Sequence, residues 1–454
     1  MTAASRPEPN PGPPSGSSEL SPADTAIAPA AVPHTAGEAL HAAPVGGHAV
    51  RALIASVLGY AMDGFDLLML GFMLPAISAD LHLSGAQAGS LVTWTLVGAV
   101  VGGIVFGLLS DRFGRVRVLT WTILVFAVFT GLCALSRGYA DLLVYRTIAG
   151  IGLGGEFGIG MALVAEAWPD RLRARASSYV GLGWQVGVLA AALLTPWLLP
   201  LIGWRGMFAI GLLPAVVSFV VRRSVEEPEL FVAHRARVER MQAQAPARER
   251  GAWLRALRLL VADARTARAS LGVTVLCSVQ NFGYYGLMIW LLPAYLSKSF
   301  GYSLTKSGLW TAATVAGMAL GIWLFGVAAD RFGRRPTFLF YQVGAVAMVY
   351  VYAHLSTPFA LLIGGAAMGV FVNGMIGGYG ALISELYPTA ARATAQNVLF
   401  NIGRAVGGFG PLAVGAMAAR YSFTAALGML AAIYVLDILA TLFLIPERRG
   451  AALE

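Results

Sequence analysis

Charge is what this chain has least of. Lys, Arg, Asp and Glu make up 12% of its 454 residues and apolar types 57%, where a soluble protein has about 25% charged residues. A mean hydropathy of +0.70 leaves most of the chain unable to face water. That argues against a soluble enzyme and against a nucleic-acid partner, although the net charge is +9; in a membrane protein an excess of Arg reflects orientation. Cysteine is almost missing. Cys133 and Cys277 both lie in apolar runs, where they act as small packing residues, and they offer neither a disulfide framework nor a thiolate metal site. The chain also lacks a Gly-x-x-x-x-Gly-Lys-[Ser/Thr] loop, so ATP does not drive it directly, and it has no His/Asp/Glu cluster with metal spacing. No cofactor, metal or enzymatic reaction is expected.

Residues 1–50 are rich in Pro, Ala, Gly and Ser and have the composition of a disordered cytoplasmic tail, without the basic start and apolar core of a signal peptide. From Arg51 onward, apolar stretches of roughly 20 residues recur, each long enough to cross about 30 Å of hydrocarbon as a helix. Twelve are expected, near 52–79, 86–109, 116–135, 140–165, 176–199, 205–222, 269–296, 307–329, 336–354, 358–384, 395–419 and 423–445. The Arg-rich stretch 223–268 separates six from six as a solvated linker loop, parts of which, such as 252–261, fit surface amphipathic helices. The expected organisation is a tail (1–50), a six-helix bundle (51–222), a linker (223–268), a second bundle (269–446) and a short tail (447–454).

Orientation follows from counting basic residues. With the N-terminus inside, cytoplasmic segments hold 25 of the 32 Lys and Arg; external loops hold five (Arg137, Arg205, Lys298, Lys306 and Arg420), and Arg146 and Arg404 fall within spans. The bias predicts cytoplasmic termini in a cell inner (plasma) membrane.

Two segments recur at one offset. Gly107-Leu-Leu-Ser-Asp111-Arg112-Phe113-Gly114-Arg115 matches Gly326-Val-Ala-Ala-Asp330-Arg331-Phe332-Gly333-Arg334 (330 − 111 = 219), and Glu166-x-x-Pro169-x-x-x-Arg173-Ala174 matches Glu385-x-x-Pro388-x-x-x-Arg392-Ala393 (385 − 166 = 219). The chain is therefore a duplicated six-helix unit, and two such halves can rock about a central site. The paired Gly-x-x-x-Asp-Arg-x-Gly-Arg loops resemble those of the major facilitator superfamily over residues 51–446. The resemblance implies an all-α membrane transporter with twelve transmembrane helices in two pseudo-symmetric bundles. It also implies that Asp111, Arg112 and Arg115, with Asp330, Arg331 and Arg334 as the partner set, latch the cytoplasmic side. The plainer alternative is that these residues cap helices and set orientation.

Function requires polar groups at depth. Asp63 lies twelve residues after Arg51, about 18 Å up a helix and near mid-bilayer. Asp66 is three residues on, on nearly the same face. A charge at that depth costs on the order of 3 kcal/mol, so desolvation and mutual repulsion favour protonation of at least one acid, and an acid that takes up and releases a proton can carry it across. The Asp63-Gly-Phe-Asp66 motif also resembles that of the aromatic acid:proton symporters, which implies that both acids serve transport. In the fourth span, Arg146 needs an acid partner, for which Asp66 is the candidate, and Glu156 is a deeper acid suited to proton coupling or to packing. The segment Gly154-Gly155-Glu156-Phe157 resembles that of the sialate and monocarboxylate:proton symporters instead.

In the eleventh span, Arg404 carries a permanent charge that needs an acid, a water-filled cavity or an anionic ligand; a carboxylate substrate suits it, with a pair to Asp437 as the alternative. Gly403-Arg404 resembles the aromatic-acid group. Further cavity candidates are Trp184, Gln185, Gln280, Asn281, Tyr284, Tyr285, Asn373 and Tyr379, each of which could equally be ordinary packing. His354, at an external helix end, does not serve as a relay. The reading is a proton-coupled symporter that imports a small organic anion, an aromatic or other carboxylic acid, functional as a monomer in the lipid bilayer. Asp63, Asp66 and Glu156 would couple protons; Arg404 and Arg146 would hold the anion. The alternatives are a proton-driven efflux antiporter, disfavoured because Gly181-Leu-Gly183-Trp-Gln-Val-Gly187 lacks the Gly-Pro signature of drug antiporters, and a transporter-like sensor.

Overall fold

The computed structural model describes residues 45–214, 216, 224–244, 255–287, 296, 301 and 304–448. Most of the expected N-terminal tail, the end of the sixth span, the start of the amphipathic stretch at 252–261, the end of the seventh span and the last six residues lie outside the described residues. Among the described residues the chain is all-helical. The helices are α1 (Gly47–Asp80), α2 (Gly85–Phe113), α3 (Arg115–Leu132), α4 (Tyr139–Ala167), α5 (Arg173–Ile210), α6 (Glu229–Gln244), α7 (Arg255–Leu259), α8 (Ala264–Tyr284), α9 (Leu304–Phe332), α10 (Arg334–Tyr352), α11 (Pro358–Gly374), α12 (Ile376–Leu386), α13 (Arg392–Gly407), α14 (Gly410–Arg420) and α15 (Phe423–Leu444). Nine described helical stretches are long and apolar enough to cross a bilayer, and the protein is membrane-integral.

Local chemistry sets the helix starts. Ser84 and Gln87 form a reciprocal capping box at α2. Asp263 accepts from the Arg265 and Thr266 amides at α8, and Thr357 caps α11 just ahead of Pro358. The first helix begins at Gly47, inside the expected tail, because the turn around Ala49 is tied down by the Trp168 indole, which donates to the Ala49 carbonyl (3.0 Å). The expected fifth and sixth spans run together as α5, broken only where Gly203 adopts a left-handed φ of 66°.

Other spans break inside the bilayer. The tenth divides into α11 and α12 at Met375, the eleventh into α13 and α14 around Gly408, and a widened turn at 285–287 extends α8. Breaks of this kind are tolerated at depth where they line a cavity.

Each half is assembled in the same way. Helix α2 packs on α4, α1 on α5 and α3 on α4; correspondingly, α9 packs on α11, α8 on α13 and α10 on α11. Small residues bring the backbones together. A methyl group on Gly98 or Gly102 would overlap the Thr147 or Ile151 carbonyl of α4, and in the second half Gly317 and Gly321 meet the Ala366 and Val370 carbonyls of α11. These pairs lie at the repeat offset (317 − 98 = 219; 321 − 102 = 219). The halves meet where α13 lies on α2 and α9 on α5. There Asn401 donates to the Gly154 carbonyl (2.9 Å) and Ser178 to the Gly377 carbonyl (3.2 Å).

Close backbone approach makes a prediction. Gly102→Val forces α2 and α4 apart and lowers stability by about 1–3 kcal/mol or more, read as an earlier thermal unfolding of the purified protein. Gly428→Ala, inside α15 and meeting nothing within 4 Å, does not lower the midpoint, since Ala favours a helix over Gly.

Candidate functional site

The helix breaks surround a small cavity on the seam between the halves, lined by Tyr60, Trp184, Gln280, Asn281, Tyr284, Tyr285, Asn373, Ile376, Phe400 and Arg404. Aromatic rings make up much of its wall. Phe157 and Phe400 stack across the seam with centroids 3.8 Å apart, Tyr60 packs on Trp184 (5.3 Å), and the Trp184 indole donates to the Tyr284 hydroxyl (3.0 Å). Gln280 donates to Asn373 (2.6 Å), fixing one polar corner, whereas the Asn281 amide donates back to its own helix at Cys277 (2.8 Å).

Arg404 is 3% exposed. Its Nε donates to the Tyr285 hydroxyl (3.2 Å) and its guanidinium lies 5.5 Å from the Trp184 ring centre. Its Nη2 has no acceptor. A buried guanidinium that lacks a carboxylate salt bridge and keeps a free donor is suited to an anion arriving from outside the protein.

The opposing charge comes from α1. Asp63 is fully buried and lies within electrostatic reach of Arg404 and beside the carboxyl of Glu156 from α4. Among the described residues no nitrogen or hydroxyl donor reaches the oxygens of either acid. Two carboxyl groups in contact can hydrogen-bond only by sharing a proton. One shared proton leaves one negative charge, which balances one guanidinium.

Asp66, three residues on, faces elsewhere. Arg146 clasps it in a bidentate pair (2.9 and 2.7 Å) and also reaches the Thr95 hydroxyl (3.3 Å). Asp63 and Asp66 therefore do not act on one another as a facing pair; the partner of Asp63 is Glu156, on another helix. Several expected placements change with this. Arg146 is not on the cavity wall, since its donors are already taken by Asp66 and Thr95. Tyr379 is not on the wall either: its hydroxyl donates to the Leu276 carbonyl (3.0 Å) and its ring packs on Phe338. Gln185 is buried beside the cavity residues with both amide atoms unpaired, but it does not line the cavity. Asp437 makes no pair with Arg404.

A second cluster ties the two halves together at one end of the bundle. The Asp111 carboxylate accepts from the Ala393 and Thr394 amides (3.2 and 2.8 Å) at the start of α13. Asp330 accepts from the Ala174 and Arg175 amides (3.1 Å each) at the start of α5. Each acid thus sits on a helix N-terminus of the other half, where the dipole and free amides favour an anion. Around them, Glu166 accepts from Arg115 (3.0 Å) and from Arg392 across the seam (2.7 Å). Glu385 accepts from Arg334 (2.7 Å) and from Arg173 across the seam (3.1 Å).

Arg115 and Arg334 also pair with Asp111 and Asp330 (2.9 and 3.0 Å). Arg112 and Arg331 stand outside this network, exposed over the rings of Phe113 and Phe332. Nor is one loop the partner of the other: each grips a helix start of the opposite half. Glu166, Arg173, Glu385 and Arg392 are the residues the loop motif alone does not reveal, although they belong to the second repeated segment.

Glu227 caps the Arg115 and Arg117 amides (2.7 and 3.0 Å), and Glu447 caps those of Arg334 and Arg335 (3.2 and 2.8 Å). Gly114 and Gly333, with φ of 116° and 105°, make the tight turns that both loops require.

A cavity between two pseudo-symmetric helical halves, closed at one end by a duplicated charge network, defines a transporter class. The profile of the Major Facilitator Superfamily matches residues 56–291 and 274–453, and the chain belongs to that family: it is a transporter, not an enzyme. It is 64% identical over 404 residues to a putative metabolite transport protein of Haemophilus influenzae, covering 89% of this chain and 98% of that one. It is 34% identical over 406 residues to a probable 4-methylmuconolactone transporter of Cupriavidus pinatubonensis, covering 87% and 90%. The solved structure of the proton:xylose symporter XylE shares the fold, with a TM-score of 0.73 at 18% identity over 90% of this chain and 98% of that one.

Two predictions follow from the geometry. Removing one member of a buried pair strands the other and costs about 3–5 kcal/mol. Asp66→Asn therefore destabilises the protein in thermal unfolding, and adding Arg146→Met recovers most of the loss. Glu166→Gln removes the carboxylate charge that Arg115 and Arg392 share across the seam. It is expected to raise the rate at which a thiol reagent labels a Ser178→Cys variant, since residue 178 is fully buried at the seam and bonds across it to the Gly377 carbonyl.

Proposed function

We propose that the protein is a proton-coupled symporter that imports a small organic carboxylate by alternating access, with the halves 51–222 and 269–446 rocking about the central cavity. The observation that carries this reading is a buried Arg404 with a free donor, set against an Asp63–Glu156 carboxyl pair with no other donor. In the empty carrier, the acid pair holds one proton and one charge, balancing the guanidinium. A substrate carboxylate on Arg404 takes over that balance, and the remaining acid charge becomes an unpaired charge in a dry site, which is expensive. A second proton then relieves it. Substrate and proton are thus stabilised together, and the neutral, loaded cavity closes at lower cost than one holding substrate alone.

The cytoplasmic network supports the other half of the cycle. With Asp111 and Asp330 on opposing helix starts, the cytoplasmic end is closed, as import requires when cargo enters from outside. We assign both termini to the cytoplasm and the protein to the inner membrane from the basic-residue bias. Aromatic walls and relatives named for muconate and muconolactone transport favour an unsaturated or aromatic carboxylate.

The test is a thermal-shift screen of purified protein against benzoate, 4-hydroxybenzoate, cis,cis-muconate and sialic acid, followed by uptake of any stabilising acid into proteoliposomes under an imposed pH gradient. Arg404→Ala is expected to weaken binding by about 30-fold or more, roughly 2 kcal/mol. Asp63→Asn should retain binding but lose its acceleration by an inward proton gradient. Full gradient-driven uptake in both variants would overturn the assignment.

A further inference from the structure

A third set of buried polar groups lies in the second half, away from the cavity wall, and neither the substrate site nor the latch uses it. Asp437, on α15, has a relative exposure of 0%. Neither carboxyl oxygen has a partner meeting normal hydrogen-bond geometry, and among the described residues no Arg, Lys or His forms an ion pair with it. The groups that face it come from three other helices and its own. Gln342 on α10 presents its amide. Cys277 on α8, Tyr379 on α12 and Tyr434 on α15 lie within electrostatic reach. None of these carries a positive charge. The Gln342 Nε2 donates to the Thr441 hydroxyl of α15 (2.7 Å), leaving its Oε1 buried without a donor. The Tyr434 hydroxyl is likewise unpartnered.

An acid in this setting has two self-consistent states. Protonated, its O–H can donate to Gln342 Oε1, satisfying both groups. Ionised, it has the Gln342 amide as its nearest side-chain donor; passing between the two states requires only that the amide turn over, the Thr441 hydroxyl donating to or accepting from whichever amide atom then faces it. Tyr434 can turn its O–H to the same carboxylate. The neighbourhood therefore holds a switchable set of donors and acceptors around one titratable group, without the fixed cation that would pin it in the ionised form.

The position also touches the helices that build the cavity wall. Cys277 lies one turn before Gln280 and Asn281 of the cavity wall, and Tyr379 lies one turn after Ile376 of that wall. Gly403, next to Arg404, packs on Cys277 so closely that a methyl group there would overlap it. A shift of α8 or α13 on substrate binding alters the groups around Asp437.

We propose that Asp437 is a second proton-exchanging site, built into the second half and distinct from the Asp63–Glu156 pair. It would be loaded and emptied as α8, α12 and α13 rearrange around the cavity. The transport role of this proton rests on the symport reading above; the exchange itself does not.

The test therefore needs no substrate. Infrared difference spectra of the purified full-length protein are recorded between acidic and alkaline buffers, and the carbonyl stretch of protonated carboxylic acids is followed. One such band should disappear on alkalinisation in the wild type and in Asp63→Asn. It should be missing from the difference spectrum of Asp437→Asn, which is isosteric with the neutral acid, and should return shifted in Asp437→Glu. A wild-type difference spectrum that Asp437→Asn leaves unaltered overturns the proposal, because the acid then holds one protonation state throughout. Failure of gradient-driven uptake with the Asp437 band present would contradict the symport reading alone.

Discussion

A guanidinium fixed inside a dry cavity is the constraint on which the central arrangement depends. Arg404 cannot shed its charge, and among the described residues it makes no salt bridge and its Nη2 has no acceptor. On the symport reading proposed above, electroneutrality comes from groups that can change: the Asp63–Glu156 pair, by taking up or releasing a proton, or an incoming anion. The aromatic wall around Arg404 serves that constraint. Trp184, Tyr60, Phe157 and Phe400 exclude water and raise the energetic consequence of any uncompensated charge. Coupling then follows from electrostatics.

The charge network at the end of the bundle rests on a different principle. Asp111 and Asp330 keep permanent partners that belong to the backbone, the first amides of helices in the opposite half. Glu166 and Glu385 each hold one arginine from their own half and one from the other. Opening this end separates whole helix starts from fixed anions, so the network resists partial opening and favours two discrete states. The duplicated geometry means that neither half controls the gate alone. The central cavity, by contrast, breaks the symmetry. Arg404 occupies the position that Gln185 holds in the first half (404 − 185 = 219), and Asp63 corresponds to Phe282 (282 − 63 = 219). The residues of the end network are duplicated and those around the central cavity are not, as expected if a shared fold was specialised at the centre.

Much of this was legible from residues alone. Apolar runs, the 219-residue offset and the basic-residue bias predict a duplicated all-helical membrane protein, and the need of Arg146 for an acid pointed to Asp66. The proton pair was less legible. Spacing along one helix suggested Asp63 with Asp66, but α4 presents Glu156 to the first and Arg146 to the second, and no periodicity within α1 reports which residue of a neighbouring helix each acid will meet. Tyr379 shows the same limit: polar aromatics at depth look alike in sequence whether they line a cavity or bond a carbonyl in the core. Arg112 and Arg331 belong to the repeated motif, yet they lie on the solvent side of their helix ends. The residues that bridge the halves, Glu166, Arg173, Glu385 and Arg392, were visible as a second repeat without a visible purpose.

The most direct test of the central claim measures protons and cargo in the same vesicles. Proteoliposomes loaded with a pH-sensitive dye are given cis,cis-muconate, or whichever carboxylate the screen selects, with no pH gradient imposed. If a proton accompanies each bound anion, the lumen acidifies in step with uptake and not before it, and Asp63→Asn abolishes the acidification. Accumulation of the acid with an unchanged internal pH, once buffering is accounted for, would contradict the account.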